Sequence, residues 1–140
     1  MDFELTEEQQ MKEMDDSEEF PWEVIRKMGS MGLMGLPVPE EYGGSGADTI
    51  AYAIAVEDIT RVSGSVGITL AAHASLGIYP IYRFGSEAQK SKYLPHLASG
   101  NGLAAFGLTE PEAGSDAGAI KTTAVLDGDQ WVINGQKTFI

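Results

Sequence analysis

The sequence predicts a mainly helical domain over its first hundred residues, followed by the opening strands of a β domain. Three observations carry this reading. Helix-start signals recur through residues 1–103: Thr6 with Gln9, Pro21, and Ser86 with Gln89. The stretches after them space their apolar residues as a helix face requires. Beyond Gly102 the pattern turns to alternation, and Asn134-Gly135 sits between two apolar-rich runs. The expected division is 1–103 for the helical domain and 104–140 for the β domain.

In order along the chain, Thr6 and Gln9 form a capping-box pair. Phe3, Leu5, Met11 and Met14 supply the apolar side of a short first helix. Pro21 stands at a first-turn position of a second helix, whose end Gly29 to Gly35 loosen. The run LPVPEEYGGSGAD is punctuation, and Glu40-Glu41 within it read as a solvated turn. From Asp48 to Val62 the residues Ile50, Ala51, Ile54, Ala55 and Ile59 recur at helical spacing. Residues 65–84 are apolar all round, which predicts a buried central helix. Ser86 and Gln89 open the next, with Lys90 and Lys92 on its wet side and Pro95 expected to disturb it. After that, LAAFGLTE reads as extended. Asn134-Gly135 supplies the positive φ values of a two-residue hairpin. The final run VINGQKTFI stops inside a strand-like pattern, so the sequence looks truncated, part of something longer.

Composition narrows the function. Nine Lys and Arg stand against 21 Asp and Glu, a net charge of −12. Nine of those acids fall in residues 1–19, so the imbalance belongs mainly to one solvated face. Nucleic acid and anionic membrane both need clustered cations, and neither is expected as a partner. These residues include no cysteine, which excludes disulfides and sulfur-ligated metal, and no metal site is expected. No signal peptide or membrane span is visible, giving an expectation of a soluble, cytoplasmic protein.

The stretch GLTEPEAGSD, residues 107–116, holds more than a turn requires. A plain loop needs only Gly107, Pro111 and Gly114. An extended FGLT segment would also turn the amides of Leu108 and Thr109, with the Thr109 hydroxyl, toward a planar polar edge. Gly114 is able to take φ > 0 and aim successive N–H groups at an anion, with the Ser115 hydroxyl alongside. Asp116 would fold back on the turn through backbone N–H groups. Such a loop offers donors to a heterocycle at one end and to phosphate at the other, as a flavin dinucleotide needs.

The same stretch, GLTEPEAGSDAGA, resembles the signature of the acyl-CoA dehydrogenases. LTEEQQ, MGLMGLPVPEEYGGSG, FGSEAQKSKYLPHLASG and VINGQKTFI are similar to further segments of that family, in the same order. The resemblance implies an N-terminal helical domain, a β-barrel-like middle domain and a C-terminal helical bundle around FAD. It also implies desaturation of an acyl-CoA thioester at C2–C3 to the trans-2-enoyl product, as in fatty acid β-oxidation. Electrons would pass to an electron-transfer flavoprotein, and the intact protein would be a homotetramer. Carried onto this sequence, Phe106, Gly107, Leu108 and Thr109 would face the flavin, and Gly114 and Ser115 its phosphate-bearing side. Ser115 would also meet the acyl-CoA, while Phe139 and Ile140 lie against the isoalloxazine. The helix around AAHASLGIYP fits an acyl-chain floor or, equally, plain core.

No catalytic residue is expected among these 140. The family's base is a Glu C-terminal of residue 140, and the chain alone is expected to be inactive. His73 on its apolar helix reads as a satisfied core residue, His96 as a surface one. Glu110 reads as holding the loop. The chain departs from the family in a short first helix, with only KEMDDSEE before FPWEV. Two other readings stand beside the dehydrogenase: a flavin oxidase or monooxygenase of the same fold, and a non-catalytic fragment.

Overall fold

The computed structural model describes residues 19–140, which divide into two compact units, one ending at Ala105 and one spanning Phe106–Ile140. The first helix expected from Thr6 and Gln9 lies outside the described residues. The fold is mostly helical, with one two-stranded antiparallel sheet.

Helix α1, Trp22–Ser30, begins directly after Pro21, whose carbonyl accepts from the Ile25 amide at 3.1 Å. The proline's fixed φ costs nothing there, because the first amides of a helix have no intrahelical partner. A single 3-10 turn, Glu40–Tyr42, ends at Gly43, where φ is 82°. Helix α2, Thr49–Val62, starts on Asp48, whose carboxylate accepts from the Ala51 amide at 2.8 Å. Its outer residues Ile50 and Ile54 are exposed, and Ala55, Val56 and Ile59 turn inward. Only part of the periodic apolar set therefore faces the core.

Helix α3, Gly64–Ala72, is capped by the Ser63 hydroxyl, which accepts from the Val66 amide at 3.3 Å. It continues through a wider π turn, His73–Ile78, into α4, Tyr79–Phe84. The Tyr79 amide reaches back five residues to the Ala74 carbonyl. The widening immediately precedes Pro80, which in a regular α-helix would lose its bond to Leu76 and crowd that carbonyl.

The expectation of burial all round fails here. Val66, Leu70, His73, Ala74 and Ile78 are buried, whereas Ile68 is 66% and Phe84 82% exposed. An apolar outer face reads in sequence like an apolar inner one, because composition records hydrophobicity and not what covers it.

Helix α5, Glu87–Ala98, opens with both halves of the capping box: Gln89 N to Ser86 Oγ at 3.3 Å and Ser86 N to Gln89 Oε1 at 2.8 Å. It runs on through Pro95, contrary to expectation. Ser91, the residue that loses its bond, is exposed, so the loss falls on the solvent side of the helix and not in the core. Lys92 is exposed, but Lys90 folds down between Glu87, at 2.8 Å, and the Tyr82 ring, leaving its side chain 17% exposed. One core joins Ile25, Met28 and Met34 to Val66 and Leu70, and a second joins Val38, Ile78 and Leu94.

In the second unit, β1, Thr123–Asp127, pairs with β2, Gln130–Asn134. The hairpin is real, but its turn is not at Asn134-Gly135. Asp127 pairs with Gln130 across Gly128-Asp129, and Gly128 has φ 64°. Asp129 is not among the positive-φ residues, so the turn has the II′ pattern, with Gly first. Gly135 answers a different need. A Cβ there would lie 2.1 Å from Thr122 Oγ1. Every residue of both strands is exposed, including Trp131 at 65%.

Candidate functional site

The loop begins with a four-residue turn. Glu110 and Ala113 exchange both backbone bonds, at 3.0 and 3.1 Å, around Pro111 and Glu112. Proline presets φ for the first corner of such a turn. The Glu110 side chain, 7% exposed, then turns inward and gathers the chain about it. Its oxygens accept from the amides of Lys121 at 2.7 Å and Thr122 at 3.0 Å, and from Lys137 Nζ at 3.0 Å. The Thr122 hydroxyl beside it, the Lys121 amide and the Lys137 ammonium hold the Glu110 carboxyl down at about 2. Thr122 Oγ1 completes no hydrogen bond in this geometry, so the bonds from the Lys121 and Thr122 amides and from Lys137 are the contacts that carry the effect.

This carboxylate has a folded-state pKa below its ordinary value of 4.5, so the stability it confers is full above pH 4.5. That stability falls away as pH drops toward about 2. In an NMR titration the Glu110 carboxyl should change with a midpoint near 2. Glu110→Gln should flatten the acid limb of the stability curve across that window. A Glu110 midpoint near 4.5 would remove the assigned role.

Glu110 thus performs the holding role expected of it, and the Asp116 side chain does not share it. That side chain makes no capping bond, and only the Asp116 carbonyl serves, accepting from Ala119 at 3.1 Å. The position expected of Gly114 also changes. It is absent from the positive-φ glycines, and a Cβ there would meet nothing within 4 Å. Gly114→Val is accordingly expected to leave the turn undistorted. Ser115 is exposed, and its hydroxyl bonds to no described residue.

Residues 106–109 run beside the end of the second unit. Thr138 N donates to the Thr109 carbonyl at 3.0 Å, and Lys137 Nζ to the Leu108 carbonyl at 2.8 Å. A Cβ on Gly107 would sit 3.7 Å from Ile140 Cδ1. So Gly107, Leu108, Thr109 and Ile140 come together. Phe106 is 48% and Phe139 95% exposed, and Phe139 holds φ 57°, unusual for a bulky residue. The carbonyls of Leu108 and Thr109 are thereby occupied. Their amides and the Thr109 hydroxyl donate to no described residue. Three donors stand open on one short segment.

His73 behaves as the core residue expected. It is 1% exposed, Nδ1 accepts from the Ala104 amide at 3.0 Å, and Nε2 lies 3.2 Å from the Leu97 carbonyl. An amide can only donate, so Nδ1 is bare and Nε2 carries the proton. Burial pushes its pKa below the ordinary value, which favours this neutral ring. His96 is exposed. Reading the sequence missed Lys137 and Thr122, whose partners lie 29 and 12 residues away in the chain. Local pattern carries no signal at that range.

A helical domain leading into a β unit with open donors on its first segment is the architecture these residues define. The acyl-CoA dehydrogenase N-terminal domain matches residues 4–101 and the middle domain residues 105–140. The chain belongs to the acyl-CoA dehydrogenase family. A probable acyl-CoA dehydrogenase of Bacillus subtilis is 51% identical over 157 aligned positions, covering 100% of this chain and 41% of that protein.

Among the solved structures similar to this chain, two are representative. One is a chain from work on the electron transferring flavoprotein of Acidaminococcus fermentans (TM-score 0.82, 45% identity, 98% of this chain and 40% of that one). The other is an acyl-CoA dehydrogenase complexed with FAD from Bacillus anthracis (TM-score 0.77, 46% identity, 94% and 22%). The chain spans about two fifths of the length of the Bacillus subtilis relative. Among the described residues, no helix is long and apolar enough to cross a membrane.

Proposed function

We propose that these residues form the helical and flavin-facing part of an FAD-dependent acyl-CoA dehydrogenase. It would desaturate an acyl-CoA thioester at C2–C3 to the trans-2-enoyl thioester, in the cytoplasm. The observation that carries this reading is the open donor set on Leu108 and Thr109. Those donors suit the polar edge of a flavin, which gathers negative charge when reduced, and preorganised N–H and O–H groups favour that charge in a dry site. FAD, when bound, supplies the acceptor for the two electrons leaving the acyl group. This chain's own part is to bind and orient it: Phe106 and Gly107 beside the ring, Phe139 and Ile140 against its face, Gly114 and Ser115 toward phosphate. The exposed apolar residues Ile68, Leu76 and Tyr79 on 64–84 leave a surface on which an acyl chain would rest. The proton-abstracting carboxylate is assigned outside these residues, and an electron-transfer flavoprotein and a homotetrameric assembly complete the proposal.

The test is to take the full-length enzyme containing these residues and the proposed carboxylate, load it with FAD, and add butyryl- or octanoyl-CoA under anaerobic conditions. Loss of the flavin's visible absorbance with formation of enoyl-CoA is expected. Stable flavin with no bleaching by either substrate would refute the reaction assigned. Ser115→Ala should weaken binding of a non-reacting acyl-CoA analogue by about 1 kcal/mol, several-fold in affinity, without changing chain-length preference. Unchanged affinity would reduce Ser115 to a loop residue.

A further inference from the structure

We propose that Lys137 is a positioning residue that strengthens the Thr109 amide as a donor, by polarising the peptide between Leu108 and Thr109. The inference rests on the reading above, in which that amide faces the flavin. The Leu108 carbonyl and the Thr109 N–H are the two ends of one peptide group. Lys137 Nζ donates to the carbonyl end at 2.8 Å, and the amide end has no partner among the described residues. A charged donor on the oxygen draws electron density along the peptide and leaves the N–H more positive, so the two bonds reinforce one another.

The ammonium is itself held in place. Glu110 Oε1 lies 3.0 Å from Nζ, and that carboxylate is fixed by the Lys121 and Thr122 amides. The lysine side chain is 29% exposed against 7% for its partner, so the pair is partly withdrawn from screening water. The neighbouring peptide serves as an internal contrast. The Thr109 carbonyl accepts only from a neutral amide, Thr138 N at 3.0 Å, and the Glu110 N–H across that peptide is already closed onto Ala113. Of the two, only the peptide after Leu108 combines a cation at one end with an open donor at the other.

The test compares Lys137→Met, which keeps the aliphatic stem, with Lys137→Arg, which keeps a charged donor. In the flavin-free protein the Thr109 amide proton and nitrogen should move upfield in Lys137→Met and return toward the parent in Lys137→Arg. The Lys121 amide, held by the other Glu110 oxygen, should stay close to its parent position. In the FAD-loaded protein the flavin potential should fall in Lys137→Met and recover in Lys137→Arg. An unmoved Thr109 amide overturns the proposal. So does collapse of every loop amide in both variants, which would make Lys137 a fold-maintaining residue only. A moved Thr109 amide with an unmoved flavin potential leaves the polarisation standing and overturns the placement of FAD at this segment.

Discussion

Alanine in place of Gly77 is expected to destabilise the helical unit by about 1–3 kcal/mol, at the upper end of that range. Its Cβ would lie 2.4 Å from Ala104 Cβ and 2.8 Å from the carbonyl carbon and oxygen of Ala104. Two of those three atoms are backbone, so no rotamer change relieves the overlap. The residue pushed away is the one whose amide His73 holds, and the displacement should break that bond also. Position 64 provides the opposite sign within the same helical path. Gly64 opens α3, and a Cβ there would meet nothing within 4 Å. Gly64→Ala should therefore stabilise by about 0.4–1 kcal/mol, through the entropy lost from the unfolded chain. Urea unfolding of both variants measures the contrast. Equal shifts of the same sign would mean that the approach of Ala104 to Gly77 does not set the cost.

Gly77 also marks what a sequence can and cannot disclose. Caps were readable because they are local. Ser86 and Gln89 stand three residues apart, and both bonds of the box formed. The existence of the hairpin was readable for the same reason, through alternation. Its turn was not, because glycine serves two needs that look alike in print. Gly128 is present for its positive φ, and Gly135 for the room Thr122 requires. The stronger dipeptide signal, Asn134-Gly135, belonged to the packing need. The left-handed turn expected at Gly114 does not form, and a Cβ there would meet nothing within 4 Å, so that glycine answers neither need.

In the candidate site, the local part of the reading was the recurrence of Gly, Thr, Glu and Pro. A holding role for Glu110 was expected once the base was placed elsewhere, but the partners that give it that role were not legible. Lys137 reached its place through a carbonyl 29 residues away. Neither periodicity nor composition registers such a bond, because nothing about position 137 differs locally from any exposed lysine beside a turn.

Valine at 109 tests the proposed contact between this segment and the flavin. Thr109→Val keeps the branched shape and removes one of three open donors, leaving the backbone bonds at Thr138 and Lys137 intact. If that hydroxyl meets the flavin, the reduced form of bound FAD loses about 1–3 kcal/mol of stabilisation. For a two-electron couple this lowers the midpoint potential by about 20–65 mV. Affinity for a non-reacting acyl-CoA analogue should change little, because Ser115, and not Thr109, is assigned to that ligand. The Thr109 carbonyl still accepts from Thr138, so the Thr138 amide resonance should stay where it is and report an intact loop. A lower potential with that resonance unmoved assigns the hydroxyl to the flavin. An unchanged potential with the resonance equally unmoved makes Thr109 a spacer in the segment, and the open donors would then belong to some other ligand edge.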